Sequence, residues 1–402
     1  PVNALPLSQT VIEATQTVIT GVSVADTNSN LSTTQLTVTD GVLNVDTAGG
    51  ATITAGGNGS ATLTLSGDDA QINAALATLE YTGNANAATD TLTVTSTDST
   101  SLTDTDSLAI TINDRPINTL PAPQTVTEAT QTAISGVSVA DANSNLSTTQ
   151  LTVTNGVLNV DTAGGATITG ANDSATLTLS GTDAQINAAL ATLKYTGNVD
   201  ATTDTLTVIS TDGTNLTDTD DLAITINNPP VNTLPGPQTV TEATQTAISG
   251  VSVTDTNSNL STTQLTVTDG ALNVDTSGGA TISAGGNDSA TLTISGTDAQ
   301  INAALTTLKY TSNVNATADT LTVFSTDDTS LTDTDSLAIT LNNPPVNTLP
   351  PTSPTVNETT QTAISGVSVA DVNSNLSTTE LTVANGLLNV DLSGGATITS
   401  SG

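Results

Sequence analysis

Aliphatic and hydroxyl-bearing residues alternate along almost the whole chain, as in Leu36-Thr37-Val38-Thr39, Leu63-Thr64-Leu65, Leu92-Thr93-Val94-Thr95 and Leu108-Ala109-Ile110-Thr111-Ile112. A period of two puts successive side chains on opposite faces of a strand, so the pattern predicts strands with aliphatic residues inward and threonines outward. Thr suits that outer face because its β-branched side chain fits a pleated surface while its hydroxyl stays wet. Asp40-Gly41, Asn155-Gly156, Asp269-Gly270 and Asn385-Gly386 each separate two such runs and predict tight hairpins. One stretch breaks the alternation. From Asp69 to Leu79 the apolar residues Ile72, Ala75, Leu76 and Leu79 stand at helical spacing, which predicts a short helix crossing between layers. Its counterparts open on Thr182 with Gln185 and Thr297 with Gln300, a T-x-x-Q capping box.

These elements recur. Glu13, Glu128, Glu242 and Glu358 fall in register about 115 residues apart, as do Asp26, Asp141, Asp255 and Asp371, while Tyr81, Tyr195 and Tyr310 have no fourth counterpart. That period is too long for a solenoid coil and matches an independently folding domain. The boundaries expected are 1–115, 116–229, 230–344 and a truncated fourth repeat, 345–402, with the chain read as a window of a longer array. Seven or eight strands and one short helix per repeat describe an all-β, immunoglobulin-like or cadherin-like sandwich. Asn113-Asp114-Arg115-Pro116, Asn227-Asn228-Pro229-Pro230 and Asn342-Asn343-Pro344-Pro345 form short Pro-stiffened links, which predict an elongated rod. The fourth repeat lacks its helix and later strands. It is expected to be completed by more of the polypeptide or by strand donation from a neighbouring subunit.

Composition narrows the function. Three basic residues against 38 acidic ones, a net charge of -35, repel nucleic acid and anionic membrane surfaces. One Phe, three Tyr and no Trp leave no aromatic platform for sugars or unpaired bases, and the tyrosines are expected to close the core after the helix. Without Cys or His there is no disulfide framework, and the usual transition-metal ligand and general base are missing. No apolar run reaches the length of a membrane span, and any export signal or anchor is expected outside this window.

The acids gather at turns and strand ends: Asp98, Asp104 and Asp106, then Asp212, Asp218 and Asp220, then Asp327, Asp333 and Asp335. Two carboxylates in D-x-D spacing can converge on a hard cation, and calcium takes six to eight oxygens in loose geometry. The candidate metal ligands are Glu13, Asp26, Asp104, Asp106, Asn113 and Asp114, with Glu128, Asp141, Asp218 and Asp220 in the second repeat and Glu242, Asp255, Asp333 and Asp335 in the third. Asn28 and Asn30 supply neutral oxygens. The competing reading is of solvated loop carboxylates that keep a fibre soluble and protect strand edges. No EF-hand loop occurs.

The succession N-P-P-V-N-T-L-P, Q-T-V-T-E-A-T, G-V-S-V-x-D-x-N, L-T-V-T-N-G-V-L, L-S-G-T-D-A-Q-I-N-A-A-L-A-T-L-K-Y, D-T-L-T-V-x-S-T-D-G and T-D-T-D-x-L-A-I-T-I resembles the cadherin-like tandem repeats of very large bacterial surface and adhesin proteins. The resemblance covers the whole chain. It implies an extracellular, cell-surface β-sandwich array, often stiffened by calcium, that carries an adhesive tip or forms a fibre. Family members commonly have Glu-Asp where this chain has Glu13-Ala14 and Glu128-Ala129, and Asp-x-Asp where it has Asp26-Thr27-Asn28. Both departures remove a carboxylate and lower the expected number or affinity of ions.

The leading function is therefore a non-enzymatic structural or adhesive array, binding other copies of itself or surface and matrix components through repeated weak contacts. The alternatives are a metal-free filament subunit completed by strand donation, forming a homo-polymer, and a carbohydrate-binding adhesin module. Ice binding by T-x-T pairs and glycoside hydrolysis by paired carboxylates rank below these, since alternating strands produce the former pairs, and the latter also need a cleft while every module would carry the same pair. Asn30, Asn145, Asn259, Asn375, Asn172 and Asn287 match the glycosylation triplet and are expected to be exposed if used.

Overall fold

The computed structural model describes residues 1–399; the last residues of the fourth repeat, 400–402, lie outside them. The chain divides into two compact units, Pro1–Asn227 and Asn228–Gly402. Within the first unit the strands of the first repeat are β1 (Val2–Ala4), β2 (Ser8–Ile12), β3 (Thr17–Val18), β4 (Ser23–Ala25), β5 (Leu31–Thr37), β6 (Gly41–Asn44), β7 (Thr52–Gly56), β8 (Thr62–Ser66), β9 (Glu80–Gly83), β10 (Thr89–Asp98) and β11 (Thr103–Asn113), with helix α1 at Asp69–Leu76. A six-stranded sheet in the order β2-β11-β10-β5-β8-β7 faces a three-stranded sheet β3-β9-β6, and β1 pairs with β4 beside them. Only the β2–β11 pair is parallel; the other pairs are antiparallel. This is an immunoglobulin-like, cadherin-like sandwich, and its strands outnumber the seven or eight expected because β1, β3 and β4 are only two or three residues long.

The same sheets recur in the second repeat, again in the first unit, and in the third repeat, in the second unit. Each repeat has its own aliphatic core, closed by Tyr81, Tyr195 or Tyr310 with no ring surface exposed. Alternation carries these cores as anticipated. Along β10 the inward positions are Asp90, Leu92, Val94, Ser96 and Asp98, while Thr89 and Thr91 face out. The helices Asp69–Leu76, Asp183–Leu190 and Asp298–Leu305 start on capping boxes at Asp68, Thr182 and Thr297, and each buries an Ile, an Ala and a Leu.

The Asp-Gly and Asn-Gly turns are not hairpins. β5 pairs with β8 and β10, whereas β6 pairs with β9, so Asp40-Gly41 is a corner at which the chain leaves one sheet for the other. The corner is fixed from inside. Asp90 accepts the amides of Thr39 and Asp40 at 3.0 and 2.9 Å, and the Tyr81 hydroxyl donates to Asp90 at 2.8 Å and to the Asp40 carbonyl at 3.0 Å. Burial and the Asp90 carboxylate push that hydroxyl above its ordinary range, which keeps it a donor. Gly41 is required because a Cβ there would lie 2.3 Å from a Tyr81 ring carbon. The glycosylation triplets are likewise structural: Asn172 and Asn287 donate their side-chain amides to the Val160 and Val274 carbonyls, Asn30 donates to Ser99, and Asn145 to Asn113.

Residues 345–399 hold one short pair, Val346–Thr348 with Ser368–Ala370. Their apolar side chains, among them Leu381, Val383, Leu387 and Leu392, are exposed. Among the described residues the segment holds no counterpart of the helix or of β9 to β11.

Candidate functional site

Where the first repeat passes into the second, both inside the first unit, polar side chains replace the aliphatic core. Glu13 follows β2, whose parallel pairing with β11 sets the Glu13 amide on the Asn113 carbonyl at 3.0 Å. Glu13 is only 5% exposed, and its Oε1 accepts the Arg115 Nε at 2.7 Å and the Arg115 amide at 3.2 Å. Burial opposes charge on Glu13, but the bonds from Arg115 and the Asn86 amide outweigh it and hold the carboxyl below its usual range.

Asp114 lies beside it, 1% exposed, and neither of its carboxylate oxygens has a hydrogen-bond partner. Burial first, and then the charge and close approach of the Glu13 side chain, raise its pKa to about 6, with Asp141 adding to the shift and the Asn86 amide partly offsetting it. A buried carboxylate without donors is costly unless something else compensates its charge.

The second repeat supplies the facing side. Asp141 Oδ1 accepts the Asn143 amide at 2.9 Å, and burial raises its pKa with Asp183 and Asp212 nearby. Asn143 clasps the linker from both ends, its Oδ1 accepting the Asp114 amide at 2.8 Å and its Nδ2 donating to the Ile112 carbonyl at 2.7 Å. Asn145 donates to Asn113 Oδ1 at 2.8 Å, and Asn113 donates to Asp212 Oδ2 at 2.7 Å. Burial opposes charge on Asp212, yet Asn113 and the Leu216 and Thr214 donors hold its carboxyl below the usual range. Asn at position 143 removes a carboxylate but gains a donor, so part of the junction closes by direct hydrogen bonds.

The second unit repeats this arrangement at Asn342-Asn343. Asn343 donates its amide to Asn373 Oδ1 at 2.6 Å, Asn373 donates to the Leu341 carbonyl at 2.6 Å and Asn375 to Asn342 Oδ1 at 2.6 Å. The side chain of Asn343 is buried with neither its oxygen nor its nitrogen paired. Glu242 Oε1 accepts the Asn315 amide at 2.5 Å, and in the second repeat Glu128 Oε2 accepts the Asp200 amide at 2.9 Å. Asp255 places Oδ1 on the Asn257 amide at 2.9 Å and leaves Oδ2 buried without a bond. Asp26, in the first repeat, accepts the Asn28 amide at 2.8 Å.

The D-x-D pairs do not join the junction cluster. Asp104, Asp218 and Asp333 each accept the backbone amide of Asn3, Asn118 or Asn232, at 2.6, 2.7 and 2.7 Å, and so peg the first strand of their repeat. Asp106 and Asp335 are exposed and Asp220 half-buried, opposite Val94, Val323 and Val208 within the sheet. Two positions along a strand point to the same face, here the inward face of β11 and its equivalents, but at the strand's open end, ahead of the buried Leu108, Ile110 and Ile112. The D-x-D spacing missed Asp212, Asn143 and Asn145. Asp212 carried its own signal, being a charge in the inward register of Leu206, Val208 and Ser210.

Among the described residues no group of three or more acidic side chains is close enough to hold a metal by itself. A cation at the first junction would therefore need amide or backbone oxygens beside Glu13, Asp114 and Asp141. The donors present are all oxygens, which fits a hard cation, and the unpaired Asp114 carboxylate is a group such an ion would satisfy.

No protein-family model and no curated protein matches the chain. Among solved structures it is similar to a protocadherin gamma B7 fragment of extracellular cadherin domains 1–4, at 14% identity and a TM-score of 0.34, covering 91% of this chain and 83% of that one. It is also similar to the titin I-band fragment I67–I69, at 10% identity and a TM-score of 0.34, covering 84% and 96%. A third is Drosophila N-cadherin EC1-4, at 12% identity and a TM-score of 0.27, covering 85% and 74%. The sheet order and the paired layers, rather than these overlaps, identify the sandwich.

Proposed function

We propose that the chain is an extracellular structural and adhesive repeat array, a stalk or fibre on a bacterial cell surface, whose junctions calcium stiffens. Equivalent modules with tyrosine-closed cores support length and repeated weak contact over a single specialised pocket. The observation that carries the calcium reading is Asp114, a carboxylate buried beside Glu13 with no donor at strict hydrogen-bond geometry and with Asp141 close enough to raise its pKa. Calcium would supply the countercharge there. Glu13, Asp114 and Asp141 would hold it, with Asn113 as a neutral oxygen source, while Asn143 and Asn145 fix the linker at hydrogen-bond distance. The partners are other copies of the chain or surface and matrix components. Melting in excess calcium against EDTA tests this. An ion at a hundred times its dissociation constant adds about 2.7 kcal/mol per site, a rise of several degrees, whereas superimposable curves would reject calcium.

A further inference from the structure

Arg115 is the sole arginine of a chain with three basic residues. It stands where the later linkers have Pro229 and Pro344, directly after Asp114, where they have Asn228 and Asn343. Its side chain is 58% exposed while that of its partner Glu13 is 5% exposed, so the guanidinium sits over the mouth of a buried acidic site. It bonds Glu13 and leaves both oxygens of Asp114 unpaired. Because the head is wet, it can leave Glu13 without opening the fold. Asp218 also contributes to the field on Arg115.

We propose that Arg115 is a built-in competitor for the cation of this junction, holding Glu13 in the ion-free state and yielding it only when a divalent cation enters. The inference rests on the reading that the junction binds such an ion. It assigns the first junction a weaker affinity than an otherwise equal junction with Pro at that position. A positive charge a few Å from the site opposes the incoming ion, and the ion must also displace an existing charge-assisted bond.

The test is calorimetric titration of the full chain with calcium chloride, for the wild type, Arg115→Gln and Arg115→Pro. Both variants should tighten one class of sites on the order of tenfold and leave the remaining sites unchanged. A second readout covers a variant that folds less well. In EDTA, Arg115→Gln should exchange backbone hydrogens faster than wild type at 113–118 and 139–147, because the acids lose their countercharge. In saturating calcium it should be protected there at least as well as the wild type. Calcium binding of unchanged strength in both variants overturns the inference alone. Absence of calcium uptake by the wild type and the variants overturns the junction reading as well.

Discussion

Asp114 gives the junction its pH dependence. Its folded pKa of about 6 lies above the ordinary 3.8, so the fold binds a proton more tightly than the unfolded chain does. The stabilisation from that protonation is complete below the ordinary value and is lost as pH rises through about 6. Glu13 works in the opposite sense, since a carboxyl held below its usual range contributes stability that disappears as pH falls. In EDTA, the melting temperature of the wild type relative to Asp114→Asn should therefore fall between about pH 4 and about pH 7. Parallel melting curves across that range would mean that Asp114 is solvated. Saturating calcium should flatten the difference, because a bound cation favours the charged form.

At the scale of elements, the corner and the helix cap are the two devices most open to mutation. Gly156→Ala would set a methyl 2.4 Å from a Tyr195 ring carbon, and overpacking of this kind costs about 1–3 kcal/mol. Thr182→Ala removes the hydroxyl that accepts the Gln185 amide and should cost about 1 kcal/mol. Chemical denaturation of both variants checks these values, and a corner variant as stable as wild type would contradict the tyrosine contact. Alternation identified the inward faces and helical spacing identified α1, because burial repeats locally along each element. The corners were not legible, because an Asp-Gly pair between two alternating runs has the same signature whether the next strand joins its neighbour or the opposite sheet. What decides is Asp90, packed against Tyr81 and the Thr39 and Asp40 amides, and those partners lie far apart in sequence. The D-x-D spacing gives the face of a strand, whereas which end of the sandwich that face borders depends on the strand's partners.

Across the molecule, the repeats were legible because each of the first three copies closes its own core, so the same inward residues recur. The junctions were legible only in part. Glu13, Asn113, Asp114 and Asp141 were identified as acids and amides at module ends, whereas the Asn143 clasp emerged only from the linker geometry. That clasp gives the junction some order without an ion. Asn143→Ala should loosen it in EDTA and in calcium alike, read as faster hydrogen exchange of the Asp114 amide, while unchanged exchange would assign the clasp no role. The most direct measurement is residue-resolved hydrogen exchange of the intact chain with calcium and with EDTA. Protection at 113–118 and 139–147 should rise with calcium while the amides of β10 and β5 stay as they were. Identical exchange at those junction segments in both conditions would contradict a calcium-stiffened array and leave an array held by hydrogen bonds alone.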